Sequence, residues 1–493
     1  MKLSSRCPHA DDREPALSRP RLCHHNGSHF LQPIVTQVRL THTLVVGTSL
    51  CILVLVLTVA TPLQEMARAQ AVHESGQAAE QTVSQADNPP PQVPGPLESL
   101  LKKGDYTFIP VPAYAYNRNE GYWIGSQMWI FKEDARGHLG TLIVPQYFYN
   151  RLVGQTINGN YFRYPSSTTQ YEITGSFSEH VARDIDLRYK DVGAGGGRYI
   201  IMGQAQWFKN PLDRFFGLGN RAQELQETNY MSEEVKVTLT GGIKLTPDFA
   251  VLFTERFRNV KVGTGIVDSL PSTQQRFGQV AGVEGAKVIG HRVTLRYDTR
   301  DHQLSPTKGT FITASGEFNQ NLQHAEDNRW WRYTIDARTL IPHAQGRMIF
   351  VARFLADGVA GVKLETRPTD QGEEVQRGIP FYERPMLGGE TTLRAFGQNR
   401  FISNSALLFN FEERILVTER EIFGYDIAME IAPFLDLGRV ERVNLWQKLD
   451  LKDWQVNPGT GFRLMAKPYV VGRADFAYGR DGFNAFIGLD YPF

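Results

Sequence analysis

From residue 106 onward, apolar and polar residues alternate along the chain, and no apolar repeat of helical period is sustained. The clearest example is the C-terminal stretch 483–493. One set of alternate positions there is apolar or aromatic, namely Phe483, Ala485, Ile487, Leu489, Tyr491 and Phe493. Because successive side chains of a β-strand point to opposite faces, this pattern predicts strands with one apolar face. In a membrane barrel, that face contacts lipid.

Counting such stretches predicts sixteen strands, an even number, as expected for a bacterial barrel with both chain ends in the periplasm. They are predicted near residues 121–131, 140–150, 154–164, 169–179, 196–207, 233–245, 248–259, 290–300, 309–319, 329–341, 346–357, 403–417, 425–437, 459–467, 470–479 and 483–493. A soluble β-sandwich would not contain so many strands of this length. The fold class predicted is therefore all-β, a sixteen-stranded antiparallel transmembrane β-barrel.

The lengths of the gaps between strands test this interpretation independently. Counting back from a periplasmic C-terminus puts the longest gaps outside the cell, at 208–232, 260–289, 358–402 and 438–458. The gaps on the periplasmic side are short, as at 246–247, 342–345 and 418–424. Short periplasmic turns and long outer loops are typical of outer-membrane barrels. The gap 180–195 is too long for its side, which indicates a misplaced strand there.

The segment before the barrel predicts export. Leu44–Ala60 is an apolar run without charge, shorter than the roughly 20 residues that a membrane-spanning helix needs. Small residues follow at Ala67, Ala69 and Ala71, so we interpret 44–71 as a signal peptide. The alternative is an uncleaved inner-membrane anchor. Residues 1–43 are predicted to be an unstructured extension, and 72–105, rich in Gln, Ala and Pro, a disordered periplasmic linker before the barrel at 106–493.

Charge and cysteine content exclude several classes of protein. The 53 basic and 52 acidic residues leave a net charge of +1, which argues against nucleic-acid binding. The three cysteines, Cys7, Cys23 and Cys51, all precede the predicted barrel, so it has no disulfide framework and no thiolate metal site. No G-x-S-x-G motif of a serine hydrolase occurs. We therefore expect neither an enzyme nor a cofactor or metal.

Several motifs go beyond the barrel pattern and occur in a fixed order. They are DTRDHQLSPTKG at 298–309, GGETTLRAF at 388–396, NFEERI at 410–415, FLDLG at 434–438 and a terminal Phe493. A further stretch, GLGN, lies at 217–220. In these motifs and in their order, the sequence resembles the BamA/TamA family of outer membrane proteins, also called bacterial surface antigens. The resemblance covers about 106–493.

The resemblance has two departures from the family pattern. Ala395 stands where the family has a glycine after the loop arginine. The family's periplasmic POTRA domains, which receive client proteins in assembly and secretion members, are not expected here, because 72–105 leaves no room for them. A separate periplasmic partner protein would then have to supply client binding.

Site residues follow from the resemblance together with strand alternation. Alternation puts Asp436 and Glu412 on the inward face of their strands. Taken alone, alternation favours the interpretation that these two residues are ordinary solvated charges in the lumen of the barrel. The resemblance instead implies that the long outer loop folds into the lumen, with a re-entrant turn at Gly388 and Gly389, and that Arg394 at its tip pairs with Asp436 and joins Glu412.

The C-terminal residues Gly488, Tyr491 and Phe493 resemble the signal read by the barrel-assembly machinery, although an ordinary aromatic girdle would give the same pattern. The location implied is the cell outer membrane, with membrane lipid and that machinery as partners. The function implied is assistance in inserting or translocating protein or lipid. The alternative is a porin-like solute channel, with the outer loop as its constriction.

Overall fold

The computed structural model describes residues 102–133, 139–166, 168–302, 305–323, 329–361, 366–368, 374–376, 378–422, 425–442, 453–466, 469–488 and 491–493. The predicted extension and signal peptide, and the linker up to residue 101, lie outside the described residues. In the part of the chain that the structure describes, no helix is long and apolar enough to cross a membrane.

The described residues form an antiparallel barrel of eighteen long strands, each paired with its neighbours in sequence order. The strands are β1 Tyr106–Asn117, β2 Gly121–Glu133, β3 Leu139–Asn150, β4 Gly154–Arg163, β5 Thr169–Ser178, β6 Arg183–Ala194, β7 Tyr199–Phe215, β8 Thr228–Lys244, β9 Phe249–Thr264, β10 Ala286–Asp298, β11 Gly309–Asn321, β12 Arg329–His343, β13 Met348–Ala360, β14 Ser405–Ile422, β15 Tyr425–Glu441, β16 Gln455–Ala466, β17 Tyr469–Gly479 and β18 Gly482–Gly488. A two-residue strand, Lys102–Lys103, pairs with the start of β1.

The predicted number of sixteen strands is therefore wrong by two, because β1 and β6 were missed. In β1, Pro110 and Pro112 argue against a strand, since proline cannot donate a backbone hydrogen bond. In β6, charged residues separate Ile185, Leu187 and Tyr189, so the alternation is easily overlooked. Strand β6 divides the 180–195 gap into two turns, which explains why that gap was too long for its side.

Each strand has one face with exposed apolar side chains, here called the apolar face, and one mainly polar face, here called the polar face. On the apolar face the exposed residues include Ile157, Ile173, Leu187, Leu239, Phe253, Val293, Met429 and Phe483. The polar face carries buried charges such as Glu317, Glu412, Asp436, Arg463 and Asp475. This is the alternation expected when one side of a barrel contacts lipid.

The connections are longer at one end of the barrel, here called the long-loop end. They include 216–227, 265–285, 361–404 and 442–454. The 265–285 connection contains the helix α1, Thr273–Phe277, and the 361–404 connection contains a 3₁₀ turn, Phe381–Glu383. The latter also contains two short strand pairs, Thr366–Pro368 with Glu374–Gln376 and Met386–Leu387 with Phe401–Ile402.

The predicted C-terminal strand is too long. Strand β18 ends at Gly488, and Tyr491 and Phe493 do not continue the apolar face. The Tyr491 hydroxyl donates to Glu430 Oε2 at 3.0 Å, and the Phe493 ring packs with Leu340, Ile349 and Val351. These partners lie on the polar-face positions of their strands, so Tyr491 and Phe493 pack on the polar face.

A substitution in β6 tests whether this missed strand crosses the membrane. Leu187→Arg puts a charge on the apolar face and is expected to destabilise the barrel by about 2–4 kcal/mol if it lies near the bilayer midplane. Gln206→Arg is the matched control, because Gln206 lies on the polar face of β7 and donates to Asp184. The measurement is urea unfolding in lipid vesicles, followed by heat-modifiable gel mobility. Equal stability of the two variants would contradict the assignment.

Candidate functional site

The long connection 361–404 packs against the polar face through two apolar clusters. In one cluster, Leu387, Leu393, Phe396 and Phe401 are fully buried against β14, β15 and β17. In the other, Phe381 packs between strands and α1, with its ring 4.8 Å from that of Phe215. A connection this long is either disordered or held by contacts of its own, and these clusters hold it.

Between the clusters, the chain makes a sharp turn at two glycines. Gly388 and Gly389 have φ values of +117° and +101°, a conformation that residues with a Cβ atom rarely adopt. A Cβ atom on Gly388 would also collide with the carbonyl oxygen of Gly397. The turn is closed by the Gly389 N–H, which donates to the Phe396 carbonyl at 3.1 Å. Both predicted turn residues therefore lie where a left-handed conformation is required.

Arg394, a few residues further, is buried together with the carboxylates predicted to face it. Its Nε and Nη2 donate to Asp436 Oδ2 at 3.0 Å and Oδ1 at 2.8 Å, a bidentate pair, and its backbone N–H donates to Asp436 Oδ2 at 3.1 Å. Its Nη1 donates to Glu412 Oε2 at 2.7 Å. The guanidinium carbon lies 3.3 Å from the centroid of the Phe434 ring. The structure thus brings Arg394, Asp436 and Glu412 together.

The two acidic partners are themselves held by neighbouring side chains. Asn410 Nδ2 donates to Asp436 Oδ1 at 2.8 Å, and Arg414 Nε donates to Glu412 Oε1 at 3.2 Å. Burial by itself lowers the pKa of Arg394, but Asp436 and then Glu412 outweigh burial and hold that pKa above its ordinary value. The arginine therefore stays charged at any physiological pH, and the carboxylates hold it by charge-assisted hydrogen bonds.

Ala395, where the resemblance implies a glycine, fits without a gap or a clash. The side chain is fully buried, and its methyl group occupies the space beside Gly479, the last residue of β17. Asn484 Nδ2 on β18 donates to the Arg394 carbonyl at 3.0 Å and fixes the backbone at this point.

A second ionic anchor, missed from the sequence, holds the other part of the connection. Glu383 is buried and accepts from Arg256 Nη2 at 2.9 Å and from Arg258 Nη1 at 2.8 Å. Burial alone would raise the pKa of Glu383, but Arg256 and Arg258 lower it to about 2. The signal in the sequence was the pair of arginines two residues apart on β9, which alternation places on the polar face together.

The predicted assembly residues are separated from each other. Gly488 ends β18, where it pairs with Arg473. The Tyr491 ring lies under the guanidinium of Arg414, with 3.6 Å between the guanidinium carbon and the ring centroid. The Phe493 ring lies 5.5 Å from the guanidinium carbon of Arg394. The last residue of the chain is therefore a neighbour of the arginine that anchors the long connection.

Removal of either main partner of the arginine anchor should destabilise the barrel. Arg394→Ala leaves Asp436 and Glu412 buried without this cation, so a loss of about 3–5 kcal/mol is expected. Asp436→Ala should lower the free energy of unfolding by a smaller amount, because Glu412 still accepts a hydrogen bond from Arg394. The double variant should be little worse than Arg394→Ala alone. Urea unfolding of the folded barrel measures all three.

The control for this cycle is Arg221→Ala, since Arg221 is 84% exposed and pairs with Asp453 at the surface. Little change is expected there. Additive effects of Arg394→Ala and Asp436→Ala would contradict the proposed coupling of the two residues.

The second anchor should be weaker than the first. Glu383→Ala leaves Arg256 with Glu317 and Arg258 with Glu234, so each arginine keeps one carboxylate. We expect a smaller loss of stability than for Arg394→Ala, together with faster trypsin cleavage within 361–404. Glu383→Gln keeps the shape without the charge and should lie between Glu383→Ala and the unmodified protein. Unchanged cleavage in Glu383→Ala would show that this anchor does not hold the connection.

Comparison with known proteins agrees with these motifs. The profile of the Omp85 superfamily domain matches residues 173–479. None of the curated proteins matches the chain in sequence. Among solved structures, BamA from Haemophilus ducreyi lacking POTRA domains 1–3 is 12% identical, with a TM-score of 0.47 and coverage of 78% of this chain and 75% of that chain.

Two structures of CdiB are also similar. The protein from Escherichia coli is 13% identical, with a TM-score of 0.45 and coverage of 78% of this chain and 68% of that chain. The protein from Acinetobacter baumannii is 11% identical, with a TM-score of 0.38 and coverage of 78% and 60%. Because the superfamily profile matches more than half of the chain, this protein belongs to the Omp85 superfamily, whose barrels reside in the outer membrane.

Proposed function

We propose that this barrel assists the insertion or translocation of protein or lipid at the outer membrane, through the seam between its first and last strands. The observation that carries the proposal is the pairing of β1 with β18. Among the described residues, these strands are in register at one residue pair, Tyr116 with Ile487. Strands β17 and β18, by contrast, are paired along Arg473–Gly479 and Gly482–Gly488.

The sequence of β1 itself limits how far the seam closes. Pro110 and Pro112 are in register with Met128 and Ser126 of β2, and neither proline has a backbone N–H to donate to a neighbouring strand. Continuing the register of Tyr116 with Ile487 would bring positions 112 and 110 opposite Tyr491 and Phe493. At both places β1 has no donor to offer.

An incompletely paired seam is costly in lipid, since each unsatisfied backbone group there costs several kcal/mol. A client strand or a lipid headgroup that supplies hydrogen-bonding groups at the seam would be favoured for the same reason. This chemistry supports an insertion or translocation role. A non-enzymatic role also agrees with the family.

We further infer that the polar face lines the lumen and that the 361–404 connection lies inside it, held by Arg394 and Glu383. An interior filled in this way is unsuited to a steady solute channel, and the porin-like alternative is not favoured. The roles of Gly488, Tyr491 and Phe493 as an assembly signal, and of a periplasmic protein as partner, belong to this proposal as well. Removal of Phe493 is then expected to lower the amount of assembled barrel.

Locking the seam tests the proposed function. Tyr116→Cys with Ile487→Cys joins β1 to β18 by a disulfide, and the described residues contain no cysteine of their own. The control, Tyr161→Cys with Ile173→Cys, joins two register partners of β4 and β5 inside the sheet. Each variant is expressed in cells from which this protein has been deleted.

The measurement is the outer-membrane proteome and the lipid asymmetry of these cells. The locked seam should fail to restore them until a reductant is added, whereas the control should restore them throughout. Full restoration by the oxidised seam variant would overturn the proposed route.

A further inference from the structure

Among the described residues, the apolar face carries a histidine–carboxylate pair in the interior of two strands, where lipid is expected. His291 of β10 and Glu255 of β9 are direct cross-strand partners, with His291 Nδ1 2.7 Å from Glu255 Oε2. Their side chains are 44% and 40% exposed. Along the strands, apolar residues flank both of them on the same face, namely Phe253 and Phe257 on β9 and Ile289 and Val293 on β10.

The depth of this pair follows from other charges on the same face. On β10, the exposed Lys287 lies on the same face four residues from His291, and its register partner on β9 is Asn259, so these two residues mark the polar boundary toward the long-loop end. Glu255 lies four residues further along β9 than Asn259, which corresponds to about 10 Å of depth at the usual rise and tilt of a barrel strand. The apolar band of such a barrel is about 25 Å tall. The pair therefore lies well inside the band.

The comparison with a second pair of the same type is informative. His343 also lies 2.8 Å from a glutamate, Glu413, but His343 is the last residue of β12 and lies at the end of the barrel, where water can reach it. His291 and Glu255 lie in the interior of their strands instead. Ionisable groups in the lipid region are expensive, and they commonly mark a functional contact.

Lipid itself is a poor partner for this pair. Acyl chains offer no polar atoms, and the carboxylate of Glu255 repels the phosphates of lipid headgroups. The neighbouring apolar surface is extensive, with Leu239 60% exposed and Phe253 50% exposed. The surface of a second membrane protein with an acidic and a basic side chain at the same depth would form hydrogen bonds with His291 and Glu255. Its apolar residues would pack against the apolar residues around them.

We propose that this patch, defined by Leu239, Phe253, Glu255, His291 and Val293, is where a second copy of the chain docks within the membrane. Two copies with the same orientation are related by a two-fold axis along the membrane normal. Since Glu255 and His291 lie side by side at nearly the same depth, that axis brings each imidazole opposite the other copy's carboxylate. The patch is thus complementary to itself in charge.

A cysteine cross-link in native outer membranes tests this contact. Val293→Cys, in a chain with Cys7, Cys23 and Cys51 changed to Ser, reports on the centre of the patch. Ile157→Cys, exposed on the apolar face of β4, is the matched control. With a short bis-maleimide, Val293→Cys should give a covalent dimer of this chain and Ile157→Cys should not.

Adding Glu255→Leu and His291→Leu to Val293→Cys removes the polar pair and leaves an ordinary apolar surface. This variant should fold, as heat-modifiable mobility will show, and its cross-linking should fall to the level of the Ile157→Cys control. The proposal is overturned if Val293→Cys captures no second copy, if it captures a different protein instead, or if the folded leucine variant still cross-links as before.

Discussion

A β-sheet in lipid must pair its backbone groups with one another, since the bilayer core offers no water to replace a missing partner. This constraint accounts for the closure of eighteen strands into one barrel, and it makes the junction of β1 and β18 the exceptional place in the molecule. Among the described residues, that junction pairs Tyr116 with Ile487, and β1 carries Pro110 and Pro112, which have no backbone N–H. The proposed route for insertion or translocation depends on that edge.

The interior obeys a second constraint, because a buried charge must be paired. Arg394 satisfies it with Asp436 and Glu412, and Glu383 satisfies it with Arg256 and Arg258. Each anchor joins the long connection to strands that are distant in sequence. A buried ion pair contributes less to stability than its geometry suggests, but breaking one leaves an uncompensated charge. The anchors therefore specify where the connection lies more than they stabilise it.

The sequence predicted the features that follow from short-range rules. Alternation identified most strands, and together with the family motifs it brought Arg394, Asp436 and Glu412 into one site. It missed β6, where charged polar-face residues interrupt the apolar pattern, and β1, where Pro110 and Pro112 argue against a strand. Glu383 was missed for another reason, since a residue in an irregular segment has no periodicity, and its arginines lie more than 120 positions away.

The C-terminus shows most clearly where alternation stops being informative. The pattern continues to Phe493, yet the described part of β18 ends at Gly488, and the register of the seam would place Pro112 and Pro110, which cannot donate, opposite Tyr491 and Phe493. The two aromatic rings find better partners on the polar face, where Arg414 lies over Tyr491 and Arg394 lies near Phe493. Phe493 would reach the seam if the strand pattern continued, but its ring lies beside Arg394, the arginine that anchors the long connection. Any rearrangement that draws the C-terminus back into the seam has to take Phe493 away from Arg394, so the state of the seam and the seating of the connection are physically coupled.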